Sequence, residues 1–439
     1  METTRSSKSG SVVGEKVIGD FFKFSFKSKL LQNVVSLSFL QVLNNLLPLI
    51  TFPYLVRVLG PEKFGLVNFV TAFVAYFSMI TDFGFNFSAT QQISICRNEK
   101  ERLSIIASAV YSIKILLLFL CFIAFWALVT FIPKFSVEKE LFFFSFLIVL
   151  GTTFTPVWFF QGLEEMKRLV AVSTISKILM IIGVFIFIKS KTDDGTYVML
   201  IGLSFVLNAI VLTGMMKKYY DVRFLLPSMK EIFFQLKESY LLFISSASIS
   251  LYTTTNIFLL GLLSNHAEVG YFAAADKIRL GIQSLASPIS QALYPRIAFL
   301  AQNDKKRSRQ LLMKFTLLGG GVLLAAGIII FFFAQPVVLL LAGKNYLKSI
   351  YVLQIIALLP FIIYLSNMFG IQGLLNFGKK KEFTVIIILG SIISIALSFL
   401  FVPLHGSIGS AFSILATEIF VTLGMIYFYF RRKNLHHEV

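Results

Sequence analysis

Basic side chains stand inside long apolar stretches of this chain, where a charge is costly. Residues 104–126 are long and apolar enough to cross a bilayer, yet they carry Lys114 near the middle. A charge at that depth costs roughly 2.5–3.5 kcal/mol on insertion scales. Lys177 stands at a similar depth in a later apolar stretch. Because ionisable residues inside a membrane usually face a bundle interior or water and mark a pathway, we predict that both lysines are functional.

Further charged and polar residues interrupt the apolar stretches, and they form two groups of candidates. Residues able to line a polar cleft and bind an anion or a hydroxyl group are Asn44, Asn45, Thr254, Asn256 and Arg279. Residues able to titrate or to form a switchable ion pair are Asp82, Asp276, Arg296 and Glu418. The competing interpretation is a structural ion pair or a basic side chain that snorkels to the interface. Near a helix end, as for Lys277 and Arg279, snorkelling is equally favoured.

Composition places the chain among multi-span membrane proteins. Of 439 residues, 56% are hydrophobic and 14% are charged, whereas soluble globular chains carry about 25% charged residues. The two cysteines lack metal-ligand spacing and the four histidines do not cluster, so we expect no metal site. Since the sequence shows neither a phosphate-binding glycine loop nor a catalytic constellation, we also expect no cofactor and no enzymatic activity.

The apolar stretches that must position these residues predict an all-α integral membrane protein with twelve transmembrane helices. About 20 apolar residues are needed to span a bilayer, and backbone groups in lipid must be satisfied within the segment, which requires helices. The predicted cores are residues 34–56, 64–85, 103–131, 141–160, 169–188, 197–216, 239–263, 270–299, 315–334, 349–370, 383–402 and 407–430.

The distribution of Lys and Arg between the loops predicts the orientation. One set of loops holds 27 of these residues and the alternate set holds eight. Because cytoplasmic loops carry the excess of basic residues, we predict that the N- and C-termini are both cytoplasmic. The net charge of +18 is then explained by topology and by contact with anionic membrane lipid, and it requires no nucleic-acid partner.

The chain is predicted to contain two copies of a six-helix unit. An offset of 205 residues brings the first predicted helix onto the seventh and aligns Gly65 with Gly270. A Gln-Gly-Leu sequence at Gln161 recurs at Gln372 in the other copy. Two parallel repeats of this kind normally surround a central cleft. The predicted parts are a cytoplasmic N-terminal arm with an interfacial helix (1–33), an N-lobe (34–216), a cytoplasmic linker (217–238), a C-lobe (239–430) and a cytoplasmic tail (431–439).

Four segments resemble a known family of bacterial membrane proteins. They begin with "LPLITFPYLVRVLGPEKFGLVNF" within residues 47–94, and continue with "PVWFFQGLEEMK", "VGYFAAADKIRLGIQSLASPISQALYPRIA" and "IQGLLNFGKKKEF". These segments resemble the bacterial polysaccharide-export family, the O-antigen flippases of Wzx type. That family shares a superfamily with multidrug extrusion transporters and lipid II flippases. The resemblance implies their V-shaped fold of two six-helix lobes.

The resemblance also implies a function in lipopolysaccharide and polysaccharide biosynthesis. The cargo would be an undecaprenyl-diphosphate-linked oligosaccharide, moved from the inner to the outer leaflet of the bacterial inner membrane. Transport would be coupled to a gradient of H⁺ or Na⁺, and a glycan polymerase and a chain-length regulator would be partners. In this setting Lys114 and Lys177 would contact the diphosphate, because lysine is a mobile point charge that binds phosphate and releases it.

Two other functions stay open at this point. A small-molecule or multidrug antiporter would use the same fold, but it favours acids in its cleft, whereas the predicted spans contain more basic residues than acids. A non-transporting membrane partner of a glycan assembly complex is the second alternative.

The equivalent helices of the two repeats suggest a gating hypothesis. Asp82 lies near the inner end of the second predicted helix and Arg296 near the inner end of the eighth. We expect them to approach when the inner mouth closes, with protonation of Asp82 or Glu418 as the candidate coupling event. In the alternative interpretation Asp82 caps a turn and Arg296 binds lipid phosphate.

Overall fold

The computed structural model describes residues 29–284 and 286–431, with side chains described from Leu47 onward except at 245, 248–253, 287–289, 291, 292 and 295. Throughout this part the regular structure is helical. The predicted interfacial helix of the N-terminal arm, the side chains of Asn44 and Asn45, and most of the tail lie outside the described residues.

The helices follow one another with short connections. In chain order they are α1 Lys29–Asp82, α2 Phe85–Ile95, α3 Lys100–Phe131, α4 Pro133–Ser136, α5 Lys139–Phe154, α6 Val157–Gly162, α7 Met166–Phe187, α8 Asp194–Tyr220, α9 Met229–Leu263, α10 His266–Ser284, α11 Ser287–Asn303, α12 Lys305–Phe332, α13 Ala334–Leu341, α14 Lys348–Ile356, α15 Leu359–Asn367, α16 Lys380–His405 and α17 Ser407–Phe430. Short 3₁₀-helices lie at Lys191–Asp193 and Lys344–Tyr346, and a π-helix lies at Met368–Leu375.

Each predicted core lies within one helix or within a run of helices interrupted by a turn. The first two cores share α1, which is interrupted at Gly60, where φ is 71°. Glycine enters this left-handed region at little steric cost, so the chain turns there between two helical halves. Nine segments of the described chain are long and apolar enough to cross a membrane, and one of them, Leu47–Ile95, contains residues 47–56 of the first core and the whole second core. The all-helical membrane fold is therefore confirmed, and the count of twelve stays a prediction.

The buried apolar residues form three cores. One contains only residues of the N-lobe and the following linker, such as Trp158 and Leu212. A second contains only residues of the C-lobe, such as Leu312 and Met425. The largest core is shared by the two lobes, and in it the Phe69 ring stacks on the Phe258 ring at 5.8 Å.

Helices α1 and α10 approach within backbone contact at two glycines. A Cβ atom on Gly65 would lie 1.7 Å from the His266 carbonyl oxygen, and a Cβ atom on Gly270 would lie 1.9 Å from the Pro61 carbonyl oxygen. Pro61 and His266 are also 205 residues apart. The glycine pair aligned by the sequence repeat therefore meets at the interface, in a two-fold-related arrangement that only residues without a side chain permit.

Candidate functional site

A cavity of about 690 Å³ lies between the lobes. This volume is within the range of small-molecule sites in proteins, roughly 300–1,000 Å³. The N-lobe contributes residues of α1 and α7, and the C-lobe contributes residues of α10, α11, α15 and the π-helix. The cavity is therefore built from both repeats, as the two-lobe architecture predicts.

The charged residues that line the cavity are both lysines. Lys177 stands on the N-lobe wall and Lys277 on the C-lobe wall, and each is half-buried. Among the described lining residues there is no Asp or Glu. The remaining polar lining residues are neutral: Gln283, Ser284, Ser290, Tyr294, Tyr364, Asn367 and Gln372. The cavity is thus suited to an anion that also carries hydroxyl groups.

The acid next to Lys277 is engaged elsewhere. Arg279 Nε donates to Asp276 Oδ1 at 2.6 Å, and Arg279 Nη1 donates to Gln283 Oε1. Spacings of three and four residues place these groups on one face of α10. Because Asp276 forms its ion pair with Arg279, it is not a dedicated partner of Lys277. The predicted cleft residue Arg279 lies behind the wall, where it orients Gln283.

Lys114 lies in an ion pair instead of lining the cavity. Its side chain is 1% exposed and its Nζ lies 3.4 Å from Asp82 Oδ1, at the end of α1. A buried ammonium group needs a charged partner, since leaving one uncompensated costs several kcal/mol. Asp82 is therefore engaged with Lys114 within the N-lobe, and its approach to Arg296 when the inner mouth closes stays a prediction. Arg296 is exposed on α11.

Three other predicted residues lie away from the cavity lining. Asn256 is 3% exposed, and its Oδ1 accepts a hydrogen bond from Ser398 Oγ at 3.2 Å, which joins α9 to α16. Thr254 is half-buried on α9, and Glu418 is buried in α17. The sequence showed that these residues are polar and within spans, but not which neighbour each helix face would meet.

Sequence reasoning missed two residues of the cavity wall. Lys277 is a basic residue within a predicted span, but its nearness to a helix end leaves snorkelling and function equally favoured, so it is not among the predicted cleft residues. Gln372 lies in the recurring Gln-Gly-Leu sequence and falls in the π-helix, a form that often occurs at functional sites. Its Nε2 donates to the Ser290 carbonyl oxygen at 2.9 Å, which ties the π-helix to α11.

Solved structures of low sequence identity show the class of fold. The lipid II flippase MurJ in an inward closed conformation matches with a TM-score of 0.76 at 15% identity, over 90% of this chain and 87% of that chain. A multidrug resistance MATE family transporter of the MOP superfamily, in an inward-facing conformation, matches with a TM-score of 0.65 at 16% identity, over 88% and 93%. The chain therefore has the fold of MOP superfamily transporters.

Sequence comparison identifies the family. Residues 30–301 match the family described as "Polysaccharide biosynthesis protein". A protein of Escherichia coli strain K12 described as "Putative O-antigen transporter" is 34% identical over 409 residues, which cover 93% of this chain and 99% of the relative. This chain belongs to the polysaccharide biosynthesis protein family and groups with its O-antigen transporters, so the resemblance stated from the sequence is confirmed. The family consists of multi-pass membrane transporters and not of enzymes.

Proposed function

We propose that this protein carries an undecaprenyl-diphosphate-linked oligosaccharide, such as an O-antigen repeat unit, from the inner to the outer leaflet of the bacterial inner membrane. Transport would proceed by alternating access, with both termini in the cytoplasm. The observation that carries this proposal is the cavity between the lobes, which holds Lys177 and Lys277 on opposite walls and no acid among its described lining residues. Family membership supports a lipid-linked glycan as the cargo.

The chemistry of the cavity fits both the diphosphate and the sugars of this cargo. The diphosphate loses hydration when it leaves the headgroup region, and two lysines offset part of that cost through charge-assisted hydrogen bonds. A lysine holds phosphate less rigidly than a bidentate arginine, which favours release on the far side. The neutral amide side chains of Gln283 and Asn367 line the C-lobe side of the same cavity and can form hydrogen bonds with sugar hydroxyl groups.

The same charge pattern argues against the antiporter alternative. A transporter of organic cations needs acids that face its binding site, whereas the described lining residues include no acid and Asp276, the acid next to Lys277, is paired with Arg279. Coupling to H⁺ or Na⁺ stays part of the proposal, with Asp82, Asp276 and Glu418 as candidate groups. A glycan polymerase, a chain-length regulator and anionic lipid stay proposed partners.

The test is substitution of the two lysines in a strain that lacks the chromosomal copy. We expect Lys177→Gln and Lys277→Gln each to reduce surface glycan, and the double variant to abolish it while the lipid-linked unit accumulates inside. Lys277→Arg should retain part of the activity because it keeps the charge. Lys217→Gln, an exposed lysine at the end of α8, is the matched control.

Full glycan export by the double variant at normal membrane levels would refute a cationic cargo site. A change in drug susceptibility with unchanged glycan export would favour the antiporter instead.

A further inference from the structure

Two basic side chains of the N-lobe bind backbone carbonyls of the C-lobe at the end of the molecule that is predicted to face outward. Arg57 Nη2 donates to the Leu340 carbonyl oxygen. Lys134 Nζ donates to the carbonyl oxygens of Leu262, at 2.5 Å, and Ser264, at 3.2 Å. Arg57 follows the first predicted span and Lys134 follows the third, so both belong to outer loops of the predicted topology.

The acceptors are the ends of helices. Leu262 lies in the last turn of α9, which ends at Leu263, and Leu340 lies in the last turn of α13, which ends at Leu341. Last-turn carbonyls lack a partner within their helix and carry the negative end of its dipole. A cation from the opposite lobe therefore satisfies an acceptor that would otherwise need water.

The two contacts are related by the sequence repeat. Arg57 and Leu262 are 205 residues apart, the offset that also relates Gly65 to Gly270. Lys134 and Leu340 are 206 residues apart, so one contact is the positional counterpart of the other. The two contacts therefore occupy symmetry-related places between the lobes. In both of them the N-lobe supplies the basic donor and the C-lobe supplies the carbonyl acceptor.

These contacts lie on the outer side of the cavity. On α10 the residues of the shared core, such as Phe272, precede the cavity residues Lys277 and Gln283 along the chain. On α1 the order is reversed, with cavity residue Leu49 preceding Arg57. The packed core and the close contact of α1 with α10 at Gly65 and Gly270, here called the glycine seam, therefore separate the cavity from the outer face. The two basic contacts lie on the outer side of this packed region.

We propose that Arg57 and Lys134 are paired outer latches, which hold the outer mouth of the cavity closed and must leave the helix-end carbonyls before the cavity opens outward. The direction of this opening rests on the proposed function. Because each contact joins two lobes and not two parts of one lobe, its loss changes the balance between closed and open arrangements. Whether the two contacts hold the outer mouth closed can be tested without a transport assay.

The experiment measures access to the cavity from outside. A variant free of Cys96 and Cys121 receives the reporter Ser284→Cys, which lines the cavity. A membrane-impermeant maleimide is then added to spheroplasts. We expect Arg57→Met and Lys134→Met each to raise the labelling rate by about three- to tenfold, which is the size expected from the net contribution of one ordinary intramolecular hydrogen bond, and the double variant to raise it further.

Matched variants separate the latch from a general effect of charge. Arg57→Lys and Lys134→Arg should label near the parental rate, because they keep a donor. Lys139→Met removes an exposed basic residue of the same outer loop and should leave the rate unchanged. Parental labelling in the Met double variant would overturn the proposal, and so would an equal increase in Lys139→Met.

A second measurement tests the proposal if the methionine variants fail to insert into the membrane. Cysteines at positions 57 and 340, joined by a short bifunctional maleimide, should abolish outside labelling of a cavity reporter, whereas either cysteine alone should not. Unchanged labelling after cross-linking would overturn the proposal. If the latch variants label as expected and glycan export proves absent from the parent protein, the proposed function fails while the latch stands.

Discussion

Lys63 and Glu268 occupy equivalent positions of the two repeats, 205 residues apart, and make the same kind of anchor with opposite charge. Lys63 binds Glu138 at 3.3 Å and Asp194 at 3.0 Å, which ties α1 to the start of α8. Glu268 binds Lys348 and also accepts hydrogen bonds from the Ser407 N–H and hydroxyl groups, at 2.8 Å and 2.6 Å. In both lobes the second predicted helix is thus fastened to the starts of the fourth and sixth.

Loss of the C-lobe anchor should lower stability. Glu268→Gln should reduce the free energy of unfolding by about 1–3 kcal/mol, because the change leaves Lys348 and the start of α17 without a charged acceptor. Thermal unfolding of the detergent-purified protein measures the effect, with exposed Glu140→Gln as the control. Equal melting temperatures of the two variants would show that the anchor contributes little.

Acid should weaken the same anchor. Burial alone would raise the pKa of Glu268, but the hydrogen bonds with Lys348 and Ser407 outweigh it and hold the pKa below its usual value of 4.5. The carboxylate therefore adds stability that is complete above pH 4.5 and is lost as pH falls through the lowered pKa. The wild-type protein should lose more stability than Glu268→Gln on acidification through that range, and parallel curves would contradict this.

The Lys114–Asp82 pair should behave as a structural unit. Lys114→Met should destabilise the protein by about 2–4 kcal/mol, because it strands a partly buried carboxylate, and adding Asp82→Asn should recover most of the loss. A double-mutant cycle on thermal stability measures the coupling. Normal glycan export by the stable double variant would exclude Lys114 as a cargo contact, whereas loss of export in the double variant with normal export in Asp82→Asn alone would support that hypothesis.

Acid on the outer side should favour an open outer mouth through His266. Burial, and then the charge of Lys134, lower the pKa of His266 below its usual 6.5, and the opposing charges facing the ring are Glu138 and Glu62, with Lys63 adding to the lowering. A state with a hydrated ring binds the proton more readily, so the closed state loses stability as pH falls from 6.5 through the lowered pKa.

Labelling of the cavity reporter from outside should accordingly rise between pH 7.5 and pH 5.5, after correction for maleimide reactivity with an exposed reporter. His266→Phe keeps a ring but cannot be protonated, and it should abolish this dependence. An unchanged pH profile in His266→Phe would assign the effect to another group.

The glycine seam should tolerate no side chain. Gly65→Ala would place a methyl group against the His266 backbone, so the helices must separate, and we expect a loss of at least about 2 kcal/mol in stability or increased outside labelling. Gly214→Ala is the matched control, because a Cβ atom there has no neighbour within 4 Å. Equivalent behaviour of the two variants would contradict the packing of α1 on α10.

The sequence by itself determined the helices, the repeat and the excess of basic over acidic residues within the spans. A run of about 20 apolar residues identifies a membrane span, because lipid offers no hydrogen-bond partners and the backbone must pair within the segment as a helix. This requirement depends only on the local sequence. The offset of 205 residues likewise aligns Gly65 with Gly270 as equivalent positions, and the same offset relates Arg57 to Leu262.

Only the tertiary structure decided which intramembrane charges face the cavity. Lys114 and Lys177 are alike in sequence, since each is a lysine near the middle of a span, but Lys114 packs against Asp82 whereas Lys177 lines the cavity. Depth follows from position along one helix, whereas the direction of a side chain and its partner follow from how helices distant in sequence pack. For the same reason the sequence position of Lys277 leaves snorkelling and function equally favoured, and only the packing of α10 places this lysine at the cavity.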